Sequence, residues 1–320
     1  MRKLLLHIGR HKTGTTSIQS FLQQNRAALL AKHGYFVPQS GRIKDGHAAL
    51  AHPLQPRNAD ARKDIEDPRL IPSFVELKKE LALQDPDNTA VISSEGFQNC
   101  KPELVREAFS DYDVSVIVYL RNQLDYLASS YAQRVQATSY TGSLQDFYDD
   151  VYLKGNNYAR FLQGWNHEFP DEFLVRRYSS HDIVNDFLEH ALKLPDGSLT
   201  VSAGRRNPSI NSVITQFKLE LNRRQPKNAP PQLLIYPILP KLNEQFPGPK
   251  FTLPPEIARH LVEQCRDSDN AVAGTYFEGA PLFDYTDYAC SDAAKMDDAL
   301  FNDIYETLIA LAKTTEAETS

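Results

Sequence analysis

The residues best suited to chemistry lie in a short polar turn near the start of the chain. The turn follows an apolar run over residues 4–8, which is typical of a buried strand, and precedes apolar residues at helical spacing that predict a helix from near Thr15. The first N–H groups of a helix lack partners within the helix, and the helix dipole favours an anion there. Gly14 lets the backbone approach an oxyanion, and Lys12 adds a mobile positive charge. The turn is therefore predicted to bind phosphate.

The order of residues in this turn differs from that of the usual nucleoside-triphosphate loop. In that loop the lysine follows the second glycine, whereas here Lys12 comes two residues before Gly14. The run H-x-G-x-x-K-T-G-T-T-S, from His7 to Ser17, resembles the 5′-phosphosulfate loop of the sulfotransferases that use 3′-phosphoadenosine 5′-phosphosulfate (PAPS). The cofactor-binding residues that this resemblance implies in the turn are Arg10, His11, Lys12, Thr13, Gly14, Thr15, Thr16 and Ser17.

A second candidate phosphate ligand follows the strand predicted over residues 114–120. Arg121 ends this strand, and Ser129 comes eight residues later in an S-x-Y pattern completed by Tyr131. In the sulfotransferases that the chain resembles, an arginine and a serine at this spacing hold the 3′-phosphate of the cofactor. A guanidinium offers forked donors to a phosphate, and a serine hydroxyl adds one more. Gln123 stands where many family members carry proline, a departure that alters the helix start and removes no ligand.

A third basic segment is the run Gly204-Arg205-Arg206. Sulfotransferases often have a late basic loop that closes over the nucleotide, so the resemblance implies that Arg205 and Arg206 also bind the cofactor. From the residues alone, a solvated basic turn explains the segment nearly as well. The resemblance covers residues 1–210. The chain looks most similar to the bacterial carbohydrate-type sulfotransferases in three segments, which are the first turn, the strand end at Glu95 and the residues after Arg121.

The resemblance implies transfer of a sulfuryl group from PAPS to an acceptor hydroxyl on a carbohydrate or glycan-like molecule. The product of the donor is adenosine 3′,5′-bisphosphate (PAP). Lys12 would neutralise charge on the bridging oxygen, and the backbone amides of residues 13–16 would hold the 5′-phosphate. No metal ion is required by this scheme, and the sequence has no metal-ligand motif.

Two residues compete for the role of general base towards the acceptor hydroxyl. Glu95 ends the strand predicted over residues 89–94, and His47 lies in the polar segment before it. A histidine titrates near neutral pH without tuning, whereas a glutamate needs burial to raise its pKa. The sequence favours His47 as the base with Glu95 close beside it. Lys12, His47 and Glu95 are thus the candidate catalytic residues.

Two other functions stay open at this point. A nucleotide-dependent phosphotransferase with an atypical phosphate loop would need an acidic magnesium ligand, a role that Glu95 could fill. A non-catalytic module could bind a nucleotide or a sugar through the same loops without turnover. Replacing both His47 and Glu95 separates these alternatives, because only an enzyme has activity to lose.

Composition sets broad limits on partners and compartment. The net charge of −6 gives no general attraction to nucleic acid or anionic membranes, and the N-terminal apolar run is too short for a signal peptide or a membrane span. We therefore expect a cytoplasmic protein with a small-molecule or glycan acceptor, no nucleic-acid partner and no membrane span. A monomer and a homo-oligomer are both open. The three cysteines show no metal-ligand spacing, which indicates reduced structural thiols.

Strands alternating with helices predict an α/β fold with a parallel, doubly wound sheet and its ligands at the carboxyl ends of the strands. We expect a single domain over 1–320, with the core sheet in residues 1–200 and a helical part, 205–315, packed over it. The segment 39–72 is predicted to be a long irregular loop. The predicted strands are 4–8, 89–94, 114–120 and 173–175. The predicted later helices are 73–83, 143–153, 157–168, 180–193, 209–224, 231–246, 255–277 and 291–314.

Overall fold

The computed structural model describes residues 1–62, 64–153, 156–195, 197, 199, 209–291 and 295–319. Within these residues, five parallel strands form one sheet in the order β2-β3-β1-β4-β5. The strands are β1 Arg2–His7, β2 Tyr35–Phe36, β3 Thr89–Ser93, β4 Tyr112–Leu120 and β5 Phe173–Arg177. The α/β fold with a parallel sheet is therefore confirmed.

The central strand β1 is apolar because both faces of the sheet are covered. Leu4, Leu5 and Leu6 point alternately to the two faces, and all three are buried. The chain passes from β1 to β2 and β3 on one side, then crosses to β4 on the other. Since crossovers between parallel strands are right-handed, connections in opposite directions lie on opposite faces. The carboxyl ends of β1, β3 and β4 consequently lie side by side at one edge.

By its contacts, the chain divides into two compact units. The first comprises Met1–Arg121 and Tyr158–Gly204 and contains the sheet; the second comprises Asn122–Asn157 and Arg205–Ser320. The α-helices of the first unit are Thr15–Gln24 (α1), Arg26–His33, Ala48–Ala51, Pro72–Ala82, Pro102–Ala108, Tyr158–Glu168 and Ile183–Asp186. Those of the second unit are Gln123–Ala137, Leu144–Phe147, Ser212–Arg224, Gln232–Gln245, Pro255–Tyr276 and Asp298–Thr319.

Shorter helical turns complete the two units. The 3₁₀ turns are His52–Leu54, Pro56–Arg62, Pro68–Leu70 and Glu95–Asn99. The π-helical turns are Tyr148–Tyr152 in the second unit and Phe187–Ala191 in the first. The single-domain prediction and the packing of the helical part over the sheet stay predictions.

One face of the sheet carries a core built with α1. Ile18 and Phe21 of α1 pack with Leu5 of β1 and Val91 of β3, and Phe187 belongs to the same cluster. This burial fixes the start of α1 against the ends of β1 and β3, at roughly 1.5–3 kcal/mol for each large apolar side chain removed from water. The turn between β1 and α1 is therefore held at both ends by the core.

Three elements differ from the sequence prediction. The helix from Thr15 is interrupted at Asn25, whose side-chain amide donates to the Phe21 carbonyl at 3.0 Å and competes with the helical pattern. The predicted irregular loop 39–72 contains short helical turns that bury Leu50 and Leu54. The last helix begins at Asp298 rather than near residue 291. Elements of one or two turns are too short to show a hydrophobic period.

Among the helices that the structure describes, none is both long enough and apolar enough to span a lipid bilayer.

Candidate functional site

The turn between β1 and α1 has an unusual backbone. Lys12 has a φ of 64° and Gly14 a φ of 74°, so two residues of this turn lie in the left-handed region. The N–H groups of Ser17 and Ile18 donate to the Gly14 carbonyl at 2.9 and 3.2 Å, which starts α1 directly after the turn. Changes of backbone handedness at a helix start turn successive N–H groups towards one point, which is the geometry of an anion-binding nest.

Two of the predicted hydroxyl ligands stabilise the turn itself. Thr13 Oγ1 donates to the Arg10 carbonyl at 2.6 Å, and Thr15 Oγ1 points to the same carbonyl at 3.4 Å. Both threonines are buried, whereas Thr16 and Ser17 are exposed in the first turn of α1. The resemblance implies that all four residues bind the cofactor, but the hydroxyls of the two buried threonines are directed to the Arg10 carbonyl instead. Thr13 and Thr15 order the backbone, and Thr16 and Ser17 keep accessible hydroxyls.

Gly14 is also closely packed by residues that follow β5. A Cβ atom at this position would lie 3.0 Å from Tyr178 Cε2 and 3.1 Å from Ile183 Cγ1. Tyr178 follows β5, and its N–H donates to the Leu120 carbonyl at 2.7 Å. Its ring thus packs against the turn from the end of β5, which β4 separates from β1.

Gly14→Ala is expected to lower the free energy of unfolding by about 2–3 kcal/mol, because left-handed strain and overpacking act together. Gly279 is the matched control, since its φ is 81° and a Cβ there would meet nothing within 4 Å. Gly279→Ala should cost only the strain, about 1 kcal/mol. Urea denaturation followed by circular dichroism measures both variants. Equal losses would show that Tyr178 and Ile183 yield easily and do not fix the turn.

Arg121 is joined to the turn by a direct contact. Its Nη1 donates to the Lys12 carbonyl at 2.8 Å, and its guanidinium carbon lies 5.5 Å from the centre of the Tyr178 ring. The Tyr158 hydroxyl donates to the Arg121 carbonyl at 2.8 Å. Burial lowers the pKa of Lys12, and the charge of Arg121 lowers it further. Two cations are thus held close to one point, where an anion would relieve their repulsion.

Arg10 occupies an aromatic pocket. Its guanidinium carbon lies 4.9 Å from the centre of the Tyr158 ring and 4.7 Å from that of Phe161, and the residue is 6% exposed. Stacking of this kind holds a guanidinium through the negative face of each ring. Arg10 therefore anchors the turn to the helix Tyr158–Glu168, and its carbonyl receives the hydroxyl of Thr13 described above.

Glu95 is positioned at the carboxyl end of β3 by a side chain of α1. Gln19 Nε2 donates to Glu95 Oε2 at 3.2 Å and lies 3.4 Å from the Ser93 carbonyl. Gly46 packs tightly against this amide, because a Cβ on Gly46 would lie 2.6 Å from the Gln19 amide atoms. The Gln19 side chain, 9% exposed, is thereby held in one orientation. The carboxylate of Glu95 is fixed next to the phosphate turn.

His11 lies near Glu95 at the surface. Its backbone N–H donates to Gln98 Oε1 at 3.5 Å, and Gln98 Nε2 donates to the Glu95 carbonyl at 3.0 Å. Desolvation by the surrounding protein lowers the pKa of the His11 imidazole, and the Glu95 carboxylate raises it. Further lowering comes from three cations, which are Arg10, Lys12 and Arg57.

His47 is placed differently from the sequence expectation. The residue is 1% exposed, and both ring nitrogens contact the backbone. The Ser93 N–H donates to His47 Nδ1 at 3.2 Å, so the proton is on Nε2, which donates to the Pro38 carbonyl at 3.0 Å. Burial lowers the pKa of His47 to about 4. These contacts leave no nitrogen for a substrate proton, which corrects the preference for His47 as the base.

His7 is the last residue of β1 and lies in the core of the first unit. It is fully buried, with Nδ1 2.8 Å from Ser93 Oγ. Its ring packs 5.9 Å from that of Tyr119 and 5.8 Å from that of Phe187. Burial lowers the pKa of His7 to about 3. His7 and His47 therefore share Ser93, and together they fasten β1 and the segment before β3.

The remaining predicted ligands lie elsewhere in the chain. Ser129 belongs to the second unit, on the helix Gln123–Ala137, and its hydroxyl donates to the Tyr126 carbonyl at 3.1 Å. Arg205 and Arg206 lie outside the described residues. Among the residues that are described, no group of three or more metal-binding side chains comes together.

Sequence reasoning missed Gln19 and Tyr178. Gln19 stands one turn into α1 on the side of the phosphate turn, a position that its spacing from Thr15 would have indicated. Tyr178 directly follows β5, and strand ends at this edge of a parallel sheet carry ligands. The predicted strand 173–175 stopped short of that position, so Tyr178 was not connected with the site.

Comparisons with known proteins find a likeness at the level of structure and none at the level of sequence. No protein-family model matches the chain, and no curated protein matches its sequence. Among solved structures, a sulfotransferase from Alicyclobacillus acidocaldarius is similar, with a TM-score of 0.46 and 13% sequence identity over 86% of this chain and 95% of that chain.

Proposed function

We propose that the protein transfers a sulfuryl group from PAPS to a hydroxyl of a carbohydrate or glycan-like acceptor. The observation that carries the proposal is the left-handed turn of Lys12 and Gly14, joined by a hydrogen bond to Arg121 from the neighbouring strand end. The order of residues in the turn, K-T-G-T-T, supports a phosphosulfate rather than a triphosphate loop.

The residues of the first unit fit a ligand with separate phosphate groups. The backbone amides between Thr13 and Thr16 would bind the 5′-phosphate at the start of α1, where the helix dipole also favours an anion. Arg121 would bind the 3′-phosphate through its guanidinium, which the Nη1 hydrogen bond to the Lys12 carbonyl holds beside the turn. The roles of Ser129, Arg205 and Arg206 as further ligands stay predictions.

Lys12 and Glu95 would act on the two sides of the reacting sulfur. Glu95 takes the proton of the acceptor hydroxyl while the acceptor oxygen forms its bond to sulfur. Lys12 stabilises the charge that develops on the bridging oxygen as the bond from sulfur to that oxygen breaks, and the electron pair leaves with the 5′-phosphate of PAP. Gln19 holds Glu95 in place through the 3.2 Å hydrogen bond.

Calorimetry with PAP and with magnesium ATP tests the donor. We expect metal-independent binding of PAP that Arg121→Ala weakens by about 10-fold to 100-fold, because hydrogen bonds to charged groups contribute roughly 1.5–3 kcal/mol. Lys12→Ala should weaken binding through the loss of one charge. Arg69→Ala is the matched control, since Arg69 is a surface arginine of the same unit paired with Asp67.

Three results would overturn the proposal. Preference for magnesium ATP, or PAP binding that is indifferent to Arg121→Ala, would instead support a phosphotransferase with an atypical phosphate loop. PAP binding without turnover of PAPS on any hydroxyl acceptor would support a non-catalytic binding module.

A further inference from the structure

One arginine at the edge of the site is held in place although it is exposed. Arg57 Nε donates to Gln55 Oε1 at 2.9 Å. The nitrogen of the same side-chain amide contacts the turn that carries Glu95: Gln55 Nε2 donates to the Gly96 carbonyl at 3.0 Å. Gln55 is 4% exposed, so this bridge is a buried connection between Arg57 and the residue that follows Glu95.

The packing beneath the bridge fixes its position. A Cβ on Gly96 would lie 2.8 Å from the Ala51 Cβ and 3.1 Å from Gln55 Nε2, so the short helix Ala48–Ala51 presses directly on the Glu95 turn. Ala51 and Gln55 are therefore packed directly against the turn that carries Glu95. Through the two hydrogen bonds of Gln55, Arg57 is connected to this packed turn.

Holding an exposed arginine costs side-chain entropy, because its free rotamers are lost. The internal contact uses only Nε. Among the residues that the structure describes, the two Nη groups of Arg57 form no ion pair or hydrogen bond. Two parallel N–H groups on one edge of a fixed guanidinium match a carboxylate or another planar oxyanion.

The charges around Arg57 and on the whole chain favour a ligand with one negative group over a ligand with several. Arg57 and Glu95 both act on the His11 imidazole, so the guanidinium and the carboxylate lie within electrostatic range of the same ring. The chain as a whole carries a net charge of −6, which repels a polyanion at long range. A ligand with a single negative group can pair with Arg57, and the negative chain repels it less than it repels a polyanion.

We propose that Arg57 binds an oxyanion of the acceptor, so that the preferred acceptor is a hydroxyl compound with one negative group, such as a uronic acid glycoside, and not a neutral sugar. This inference rests on the proposed function, because it places the acceptor next to Glu95. The Gln55 bridge sets the direction of the guanidinium, and the oxyanion in turn orients the reacting hydroxyl.

The test compares three probes on the PAP-saturated protein: methyl β-glucoside, methyl β-glucuronide and methyl β-glucoside 6-sulfate. Binding is measured by calorimetry after PAP binding itself has been verified. We expect the wild type to bind at least one of the two anionic probes about 10-fold to 100-fold more tightly than the neutral glucoside. A preference between the anionic probes distinguishes a carboxylate from a sulfate site.

Arg57→Gln should remove this preference and leave PAP affinity unchanged. Arg57→Lys keeps the charge but loses the fork, so it should retain only part of the preference. Arg69→Gln, an exposed arginine of the same unit, should behave like the wild type.

The inference is overturned if the wild type binds the three probes alike or binds none of them, or if Arg57→Gln keeps the preference. Such results with normal PAP binding refute the acceptor site alone. Loss of PAP binding in the wild type refutes the proposed function instead.

Discussion

Glu95→Gln is expected to lower the rate of sulfuryl transfer by about two to four orders of magnitude, which is the usual contribution of a positioned general base. The glutamine can still contact Gln19, so the fold and PAP affinity should be unchanged. The rate is measured as PAP release from PAPS with an acceptor that the wild type turns over. Gln19→Leu should give a smaller loss, because Glu95 stays but its 3.2 Å hydrogen bond is gone.

His47→Gln is the control that decides between the two candidate bases. Its ring nitrogens contact the Ser93 N–H and the Pro38 carbonyl, so we expect a loss of stability and a rate per folded molecule within a few-fold of the wild type. A loss of rate as large as that of Glu95→Gln, in protein that remains folded, would restore His47 as the base.

Sequence patterns predicted those parts of the fold that depend on residues close together in the chain. Residues 4–8 and 114–120 are apolar apart from His7 and Ser115, because parallel strands are buried on both faces, and such runs are visible without a structure. The turn between β1 and α1 was predictable because the strand, the glycine and the helix start are consecutive in sequence, and its binding of phosphate stays a prediction. Lys12 and Gly14 do lie at the end of β1.

The assignment of the base depended on contacts between distant residues. His47 is a core residue only because Pro38 and Ser93 supply backbone partners, and Ser93 is 46 positions away in sequence. A polar segment with a histidine looks the same in sequence whether its ring meets solvent or backbone. The same holds for Arg57, whose orientation comes from the Gln55 contact with Gly96.

The hydroxyl residues of the turn show the same limit within a short segment. Thr13 and Thr16 are the same residue type, three positions apart. The Thr13 hydroxyl is buried against the Arg10 carbonyl, whereas Thr16 is exposed. The difference comes from the left-handed Lys12 and Gly14, whose backbone conformations a sequence pattern does not specify.

The first unit is expected to lose stability steeply on mild acidification, because His7 and His47 are buried in the neutral form. Their pKa values are lowered to about 3 and about 4, whereas an unfolded histidine titrates near 6.5. Below pH 6.5 the unfolded chain therefore binds more protons than the folded one, and stability falls as the pH decreases towards the folded pKa values. Between pH 7 and pH 5 the two residues together should remove about 4 kcal/mol.

The chain contains a single tryptophan, Trp165, which is buried in the first unit and reports its unfolding by fluorescence. Urea titrations at pH 7 and pH 5 should show the loss, and His7→Phe should reduce it by about half, because a phenyl ring keeps the packing but cannot gain a proton. His167→Gln, whose parent side chain is 84% exposed, should leave the pH dependence unchanged. Within the described residues His7 Nε2 has no hydrogen-bond partner, so a proton there would place an uncompensated charge in the core. An unchanged pH dependence in His7→Phe would mean that His7 is not a source of the acid lability, and that His47 accounts for it.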